Sequence, residues 1–371
     1  MDDIRLPEPR ASQPQPTPLE TNKPSVPGPQ PPEKRRPIAL IIAAFIGLST
    51  AICSIVAVLW YQQALSAPDQ DGSDIRVLIE QGETSSEIAS KLRTKGLIRS
   101  ETAFNIYVQT TGTRAKLQAG GYILSTDQNV QQIVDHLVAG KADEVDILIS
   151  PSVTLNGIRK NLQQYGYSSD EIDRALSADY EHPLLASKPD TATLEGYIYP
   201  ETYRIGADQT LEDLFEKSFD ELYEVLTENG YLAAFQARSL SIHQGLTLSS
   251  IVQKEVDNPS DQKQVAQVFL SRLAQDIQLG SDVTFIYAAE QAGQQPTVNF
   301  DSPYNTRINK GIPPGPIANM QRSAIDAVAS PAPGDFLYFV AGDDGKTYFS
   351  RTEAEHNANV AAHCIKLCQE Y

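Results

Sequence analysis

The run IALIIAAFIGLSTAICSIVAVLW, Ile38–Trp60, contains no charged residue and divides the chain into two unlike parts. As a helix rising ~1.5 Å per residue it covers roughly 34 Å, enough to cross a bilayer core of ~30 Å. Lys34, Arg35 and Arg36 precede it, whereas Asp69, Asp71 and Asp74 follow. That asymmetry predicts a single-pass anchor in a cell membrane, with a cytoplasmic amino terminus and everything after Tyr61 outside. Trp60 and Tyr61 fall where interfacial aromatic rings belong. A cleaved signal peptide would carry a shorter apolar region closer to its start.

Upstream, residues 1–37 are rich in Pro and poor in large apolar side chains, a composition that predicts a disordered, solvated cytoplasmic tail. Downstream, residues 61–73 read as a polar linker. In a chain of 371 residues that leaves two further units. The whole carries a net charge of −17, against the basic patch expected of a nucleic-acid binder. Three Cys are too few for a disulfide framework or paired zinc knuckles. Cys53 lies in the apolar run; Cys364 and Cys368 share one face of an expected carboxy-terminal helix over TEAEHNANVAAHCIKLCQ, with no catalytic role and no redox state assigned.

Residues 74–147 alternate strand and helix signals. Ile75, Val77 and Ile79 have strand periodicity, Thr84 with Glu87 form a capping box, Ser100 opens a second helix, and Leu117–Leu124 reads as another strand. Residues 148–371 are richer in helix, with starts at Thr154 and Ser168, and end in a hairpin signal formed by FLYFVA, Gly-Asp-Asp-Gly and KTYFS. The fold class is α+β.

Phosphate-binding glycine loops, the G-x-S-x-G elbow and H-E-x-x-H are all missing, which removes nucleotide, α/β-hydrolase and zinc-protease chemistry. No metal or cofactor is expected. Among carboxylates, Glu195 stands out within LEGYIYPETY. A carboxyl surrounded by aliphatic and aromatic side chains loses hydration and stays protonated towards neutral pH, as a general acid must. Tyr197 and Tyr199 supply rings suited to sugar faces. By composition alone, a solvated or helix-capping glutamate is the stronger reading. A second polar region comprises LGSDVTFIYAAE and SPYNTRINKGIPPGPIAN, where Tyr304, Asn305 and Thr306 lie beside a Pro-stiffened loop.

The ordered set LEGYIYPETY, LSSIVQKE, VFLSRL, LGSDVTFIYA, SPYNTR, GIPPGPIAN, FLYFVA and TEAEHN, from about Ile75 to His363, resembles the MltG/YceG-like family of membrane-anchored endolytic murein transglycosylases. The resemblance implies a small LysM-like subdomain at 74–147 carrying Leu117–Tyr122, and a catalytic domain at 148–371. It also implies cleavage of the β-1,4 bond between N-acetylmuramic acid and N-acetylglucosamine in peptidoglycan strands, leaving 1,6-anhydro ends. The family's catalytic glutamate falls on Glu195. Glu255, Asp282, Tyr304 and Asn305, together with Tyr197 and Tyr199, are the expected substrate-binding residues. Departures from the pattern are Gln253 in IVQKE, Val283 in SDVT, and Thr347 in place of a His. Termination of nascent strands beside penicillin-binding proteins is the implied role. A non-catalytic, membrane-anchored peptidoglycan-binding scaffold is the alternative.

Overall fold

The computed structural model describes Gly28 and residues 36–69, 71–366 and 368. The expected disordered tail, residues 1–37, therefore lies almost wholly outside the described residues. The chain separates into two compact units at the Trp60–Tyr61 junction.

The first unit holds most of helix α1 (Arg36–Leu65). From Leu40 onward α1 is long and apolar enough to cross a membrane. Its large side chains are bare, Phe45 being 72% exposed, which is costly in water and favourable in lipid. The helix continues to Leu65, so the first residues of the expected linker 61–73 are helical rather than extended.

The second unit begins with β1 (Asp74–Ile79), α2 (Ser85–Thr94), α3 (Glu101–Thr110), β2 (Gly120–Ser125) and α4 (Val130–Ala139). Strands β1 and β2 pair antiparallel with Val77 opposite Tyr122. Local sequence sets the helix starts: Thr84 with Glu87 and Asn129 with Gln132 form capping boxes, and the Ser100 hydroxyl accepts from Ala103 N. These elements enclose their own apolar cluster, with Val77, Phe104, Tyr122, Leu124 and Leu137 fully buried.

Next come β3 (Glu144–Leu148), α5 (Leu155–Gln164), α6 (Ser169–Ser177) and β4 (Thr202–Gly206). Strands β3 and β4 pair antiparallel across more than fifty residues of intervening chain, with Ile147 opposite Tyr203 and Arg204 bridging to Asp146. A joint fastens this sheet to the preceding elements. Arg76 Nε donates to Ala207 O at 2.7 Å, its Nη1 pairs with Glu171 at 2.9 Å, and its guanidinium covers the Tyr167 ring. Gly121 is required there, since a Cβ would lie 2.0 Å from the Ala207 carbonyl carbon.

The larger core is built by α7 (Leu211–Glu228), α8 (Tyr231–Ala237), α9 (Ile242–Glu255), α10 (Pro259–Ala274), α11 (Asp282–Gln291) and α12 (Arg322–Ala329). Helix α9 is buried on all sides from Gly245 to Gln253 and forms the centre. Phe215, Phe219, Phe235 and Phe269 fill the space around it, each contributing ~1.5–3 kcal/mol by burial. The carboxy-terminal hairpin is β5 (Tyr338–Ala341) and β6 (Thr347–Ser350), followed by α13 (Glu353–His363).

One expectation is corrected here. Helix α13 stops at His363, because Cys364 leaves helical geometry and the Asp343 carboxylate takes Ile365 N and Lys366 N. Cys364 and Cys368 do not share a helical face; they form a disulfide. His356 and His363 stack on Tyr338 and Tyr348. The described architecture is mixed α+β, with three two-stranded antiparallel sheets among the described residues.

Candidate active site

Glu195 sits in a turn closed by Tyr197 N donating to Leu194 O at 3.0 Å. Gly196 makes this turn possible, with φ of 79°. A Cβ at 196 would stand 2.3 Å from Pro316 Cβ, so the Pro-rich loop closes directly over the glycine. The backbone thereby aims the Glu195 side chain inward, where it is 4% exposed.

Two donors meet the carboxyl. Leu155 N donates to Oε1 at 2.9 Å and to Oε2 at 3.2 Å, and the Tyr287 hydroxyl donates to Oε2 at 3.2 Å. Leu155 is the first residue of α5, so the carboxyl sits at a helix amino terminus. Burial nevertheless dominates and pushes Glu195 up from 4.5 to about 7; the Leu155 and Tyr287 hydrogen bonds and the Lys254 charge pull the other way. Such a group holds its proton just below neutrality and surrenders it just above, as an acid–base catalyst must.

Three residues shape the surroundings of Glu195 without having been singled out in the sequence. Tyr287 lies one helical turn beyond Val283, on the buried face of α11. Its hydroxyl is pushed upward by burial and then by Glu195, so it keeps its proton and donates it to the carboxyl. Asn319 ends GIPPGPIAN and clamps the turn before α5: its Nδ2 donates to Ser150 O at 3.0 Å, its Oδ1 accepts from Val153 N at 2.9 Å, and its own N donates to Val153 O at 3.0 Å. That turn holds Ser152 at φ 62°, a left-handed conformation costly for serine. Lys254 leans on the same turn through Ser152 O at 3.4 Å.

The expected residues divide into three groups. Tyr304 lies beside Glu195 and Tyr287: its ring is 5.2 Å from that of Tyr287, and its hydroxyl is pushed upward by burial and by Glu195. Glu255 and Asp282 form a separate polar cluster at the start of α11. The Ser281 hydroxyl donates to Glu255, and Arg307 pairs with Asp282. Burial first, and the Asp282 charge second, push Glu255 up to about 7 against the Ser281 bond and the Arg307 and Arg272 charges.

Tyr197, Tyr199 and Asn305 are the third group, and the structure places them in the core rather than facing a sugar. The Tyr197 side chain has no exposed surface; its hydroxyl meets His243 Nδ1 at 2.8 Å, and His243 Nε2 donates to Pro314 O at 2.7 Å. This chain of contacts props the Pro-rich loop from behind. Tyr199 packs in the same core, its N donating to Ser218 Oγ. Asn305 spends its amide on Val298 O, Phe300 O and Arg307 N, which folds its own loop. The aromatic surroundings expected of Glu195 are real, but Tyr287 and Tyr304 supply them. Among the described residues, no group of three or more His, Cys, Asp or Glu is placed to hold a metal ion.

A buried carboxyl with two donors, in an α+β unit whose chain follows an apolar helix, has the surroundings that acid–base chemistry needs. The YceG-like family model matches residues 77–362. The chain is 30% identical over 317 residues to the endolytic murein transglycosylase of Bacillus subtilis, covering 80% of this chain and 87% of that protein. It is 29% identical over 328 residues to that of Streptococcus pneumoniae, covering 78% of this chain but only 58% of the pneumococcal protein. A crystal structure of a yceG-like protein from Listeria monocytogenes matches with a TM-score of 0.50 at 32% identity, covering 77% of this chain and 99% of that one. The chain belongs to the YceG-like family.

Proposed function

We propose that this chain is an endolytic murein transglycosylase, a lyase that cleaves peptidoglycan strands between N-acetylmuramic acid and N-acetylglucosamine and leaves 1,6-anhydro ends. The observation that carries the reading is the Glu195 carboxyl, buried between Leu155 N–H and Tyr287 O–H and pushed up to about 7. Glu195 protonates the glycosidic oxygen as that bond breaks. As carboxylate it then takes the proton of the sugar's own C6 hydroxyl, which attacks the anomeric carbon. The nucleophile is intramolecular, so one protein carboxyl suffices where a hydrolase uses two. The Leu155 and Tyr287 donors stabilise the carboxylate left after the first transfer. Tyr304 offers the exposed part of its ring to the sugar.

In this reading α1 spans the membrane once, with the basic side cytoplasmic and Glu195 outside the cell membrane. The elements from β1 to α4 correspond to a LysM-like subdomain at 74–147, and residues 148–371 to the catalytic domain. Strand termination beside penicillin-binding proteins places the enzyme where new glycan is made. A two-carboxyl hydrolase, with Glu255 as the second carboxyl, is the rival reaction.

Mass spectrometry of purified sacculi after digestion tests these readings. Wild type is expected to release anhydro-ended muropeptides and Glu195→Gln none. Products with reducing ends would identify the hydrolase. Absence of any product from the wild type would leave a peptidoglycan-binding scaffold, and equal activity of the two proteins would remove Glu195 from the mechanism.

A further inference from the structure

A groove of about 880 Å³ lies beside the loop that covers Glu195, and neither acid–base step uses it. Leu270, Leu273, Ile312 and Pro331 line it, with Gln267 and Arg238 as its distinctive polar groups. No aromatic ring and no carboxylate is among the groove residues, so Arg238 is their sole ionisable group.

Gln267 is 5% exposed, and its amide orientation is determined. Its Nε2 donates to Phe336 O at 3.0 Å and to Ser271 Oγ at 2.8 Å; a carbonyl only accepts, so nitrogen must face it. Oε1 is left buried without a partner, a condition that costs ~1–3 kcal/mol. It lies next to Gly334 in the groove wall, where a Cβ would stand 3.2 Å from Oε1. The groove thus has an acceptor lacking a donor in its wall at Gly334, apolar sides, and at its rim a half-buried Arg238 whose one hydrogen bond among the described residues goes to Ala234 O.

The chemistry that satisfies all three is a short peptide: an N–H for Gln267, small side chains for the walls, and a terminal carboxylate for Arg238. A sugar strand would call for stacking rings, which this groove lacks. The groove is also close to the acid–base site. Gly311 and Ile312 line it while Pro316 packs on Gly196, and the segment from Gly311 to Pro316 spans at most ~18 Å even if fully extended.

We propose that this groove receives a peptide stem of the peptidoglycan strand, with Gln267 Oε1 accepting a peptide N–H and Arg238 pairing with the terminal carboxylate. The inference rests on the peptidoglycan reading of Glu195, and binding separates the two. The probe is the tetrapeptide L-Ala-γ-D-Glu-L-Lys-D-Ala, titrated calorimetrically into the full-length Glu195→Gln chain in detergent. Adding Gln267→Leu or Arg238→Gln is expected to weaken binding by about tenfold, and amidating the terminal D-Ala carboxylate, with the D-Glu carboxylate left free, by a similar factor. Arg238 is at the rim, so its variant tests the groove even if Gln267→Leu disturbs folding. With Glu195 intact, Arg238→Gln should raise KM for stem-bearing strands, leave kcat unchanged, and leave stem-free strands unaffected. Undetectable peptide binding, an unchanged Kd in both variants, or displacement of the peptide by a stem-free N-acetylglucosamine oligomer would overturn the proposal. Peptide binding with the expected losses but no strand cleavage by the wild type would leave the groove standing and overturn the cleavage reading instead.

Discussion

Replacing Glu195 with Gln preserves the side chain's shape and removes its charge, so the variant reports what burying that carboxyl does to the fold. In an unfolded chain the group titrates at its ordinary 4.5; inside the fold burial lifts it to about 7. A carboxyl raised on folding stabilises the fold in its protonated form. That contribution is complete below pH 4.5, declines as pH rises, and is gone above about 7. Each pH unit of the gap is worth ~1.4 kcal/mol, so the ionised carboxylate weakens the fold by ~3 kcal/mol relative to the acid. Glutamine has no such dependence. The stability advantage of Glu195→Gln should therefore grow by ~3 kcal/mol between pH 4.5 and 8, on the order of 6 °C in Tm for a unit of this size. Thermal melts of residues 61–371, wild type and variant in parallel, cancel every other titrating group. A difference in Tm that stays flat across that pH range would show that Glu195 carries no raised pKa, and the general-acid role would lose its physical basis.

Tyr287→Phe removes a hydrogen bond that favours the carboxylate, so the high-pH limb of the activity profile should move further up in pH; an unmoved or downward-shifted limb would count against the Tyr287–Glu195 contact. Gly196→Ala drives a methyl to 2.3 Å from Pro316 at a φ of 79° and should cost ~3 kcal/mol or more together with activity, measurable by denaturant unfolding. Asn319→Ala breaks two side-chain bonds to the Ser150–Val153 turn, which presents Leu155 N; a stability loss of ~1–3 kcal/mol should accompany a fall in kcat, whereas loss of stability at full kcat would make Asn319 purely structural.

How far the sequence foretold this molecule depended on the range of the signal. Thr84, Ser100, Thr154 and Ser168 all cap the helices they were expected to open, because a cap is a bond to a residue two or three positions away. Strands β3 and β4 went unforeseen. Each is short, Glu144, Asp146 and Arg204 give them charged faces, and their pairing partner lies beyond α5 and α6. Distance along the chain also explains Asn319: an Asn after a Pro-rich loop looks like a turn residue until the fold brings it against Ser150 and Val153.

Tyr197 and Tyr199 are the more instructive case: the rings beside Glu195 that suit sugar faces are buried in the core, although they follow it by only two and four positions. Gly196 is the reason. Its positive φ breaks the strand-like period directly after Glu195 and turns that side chain away from the following residues, towards α5 and α11. The tyrosines then fill the core, where Tyr197 reaches His243 and, through it, the carbonyl of Pro314. The LEGYIYP segment therefore shapes the site from two sides of one backbone turn. Glu195 is the proposed proton donor, while Tyr197 holds the far end of the loop whose Pro316 closes over Gly196. Residues spaced two apart serve one site without sharing its surface, and a periodicity argument, which assigns faces but assumes unbroken backbone geometry, had no means of separating them.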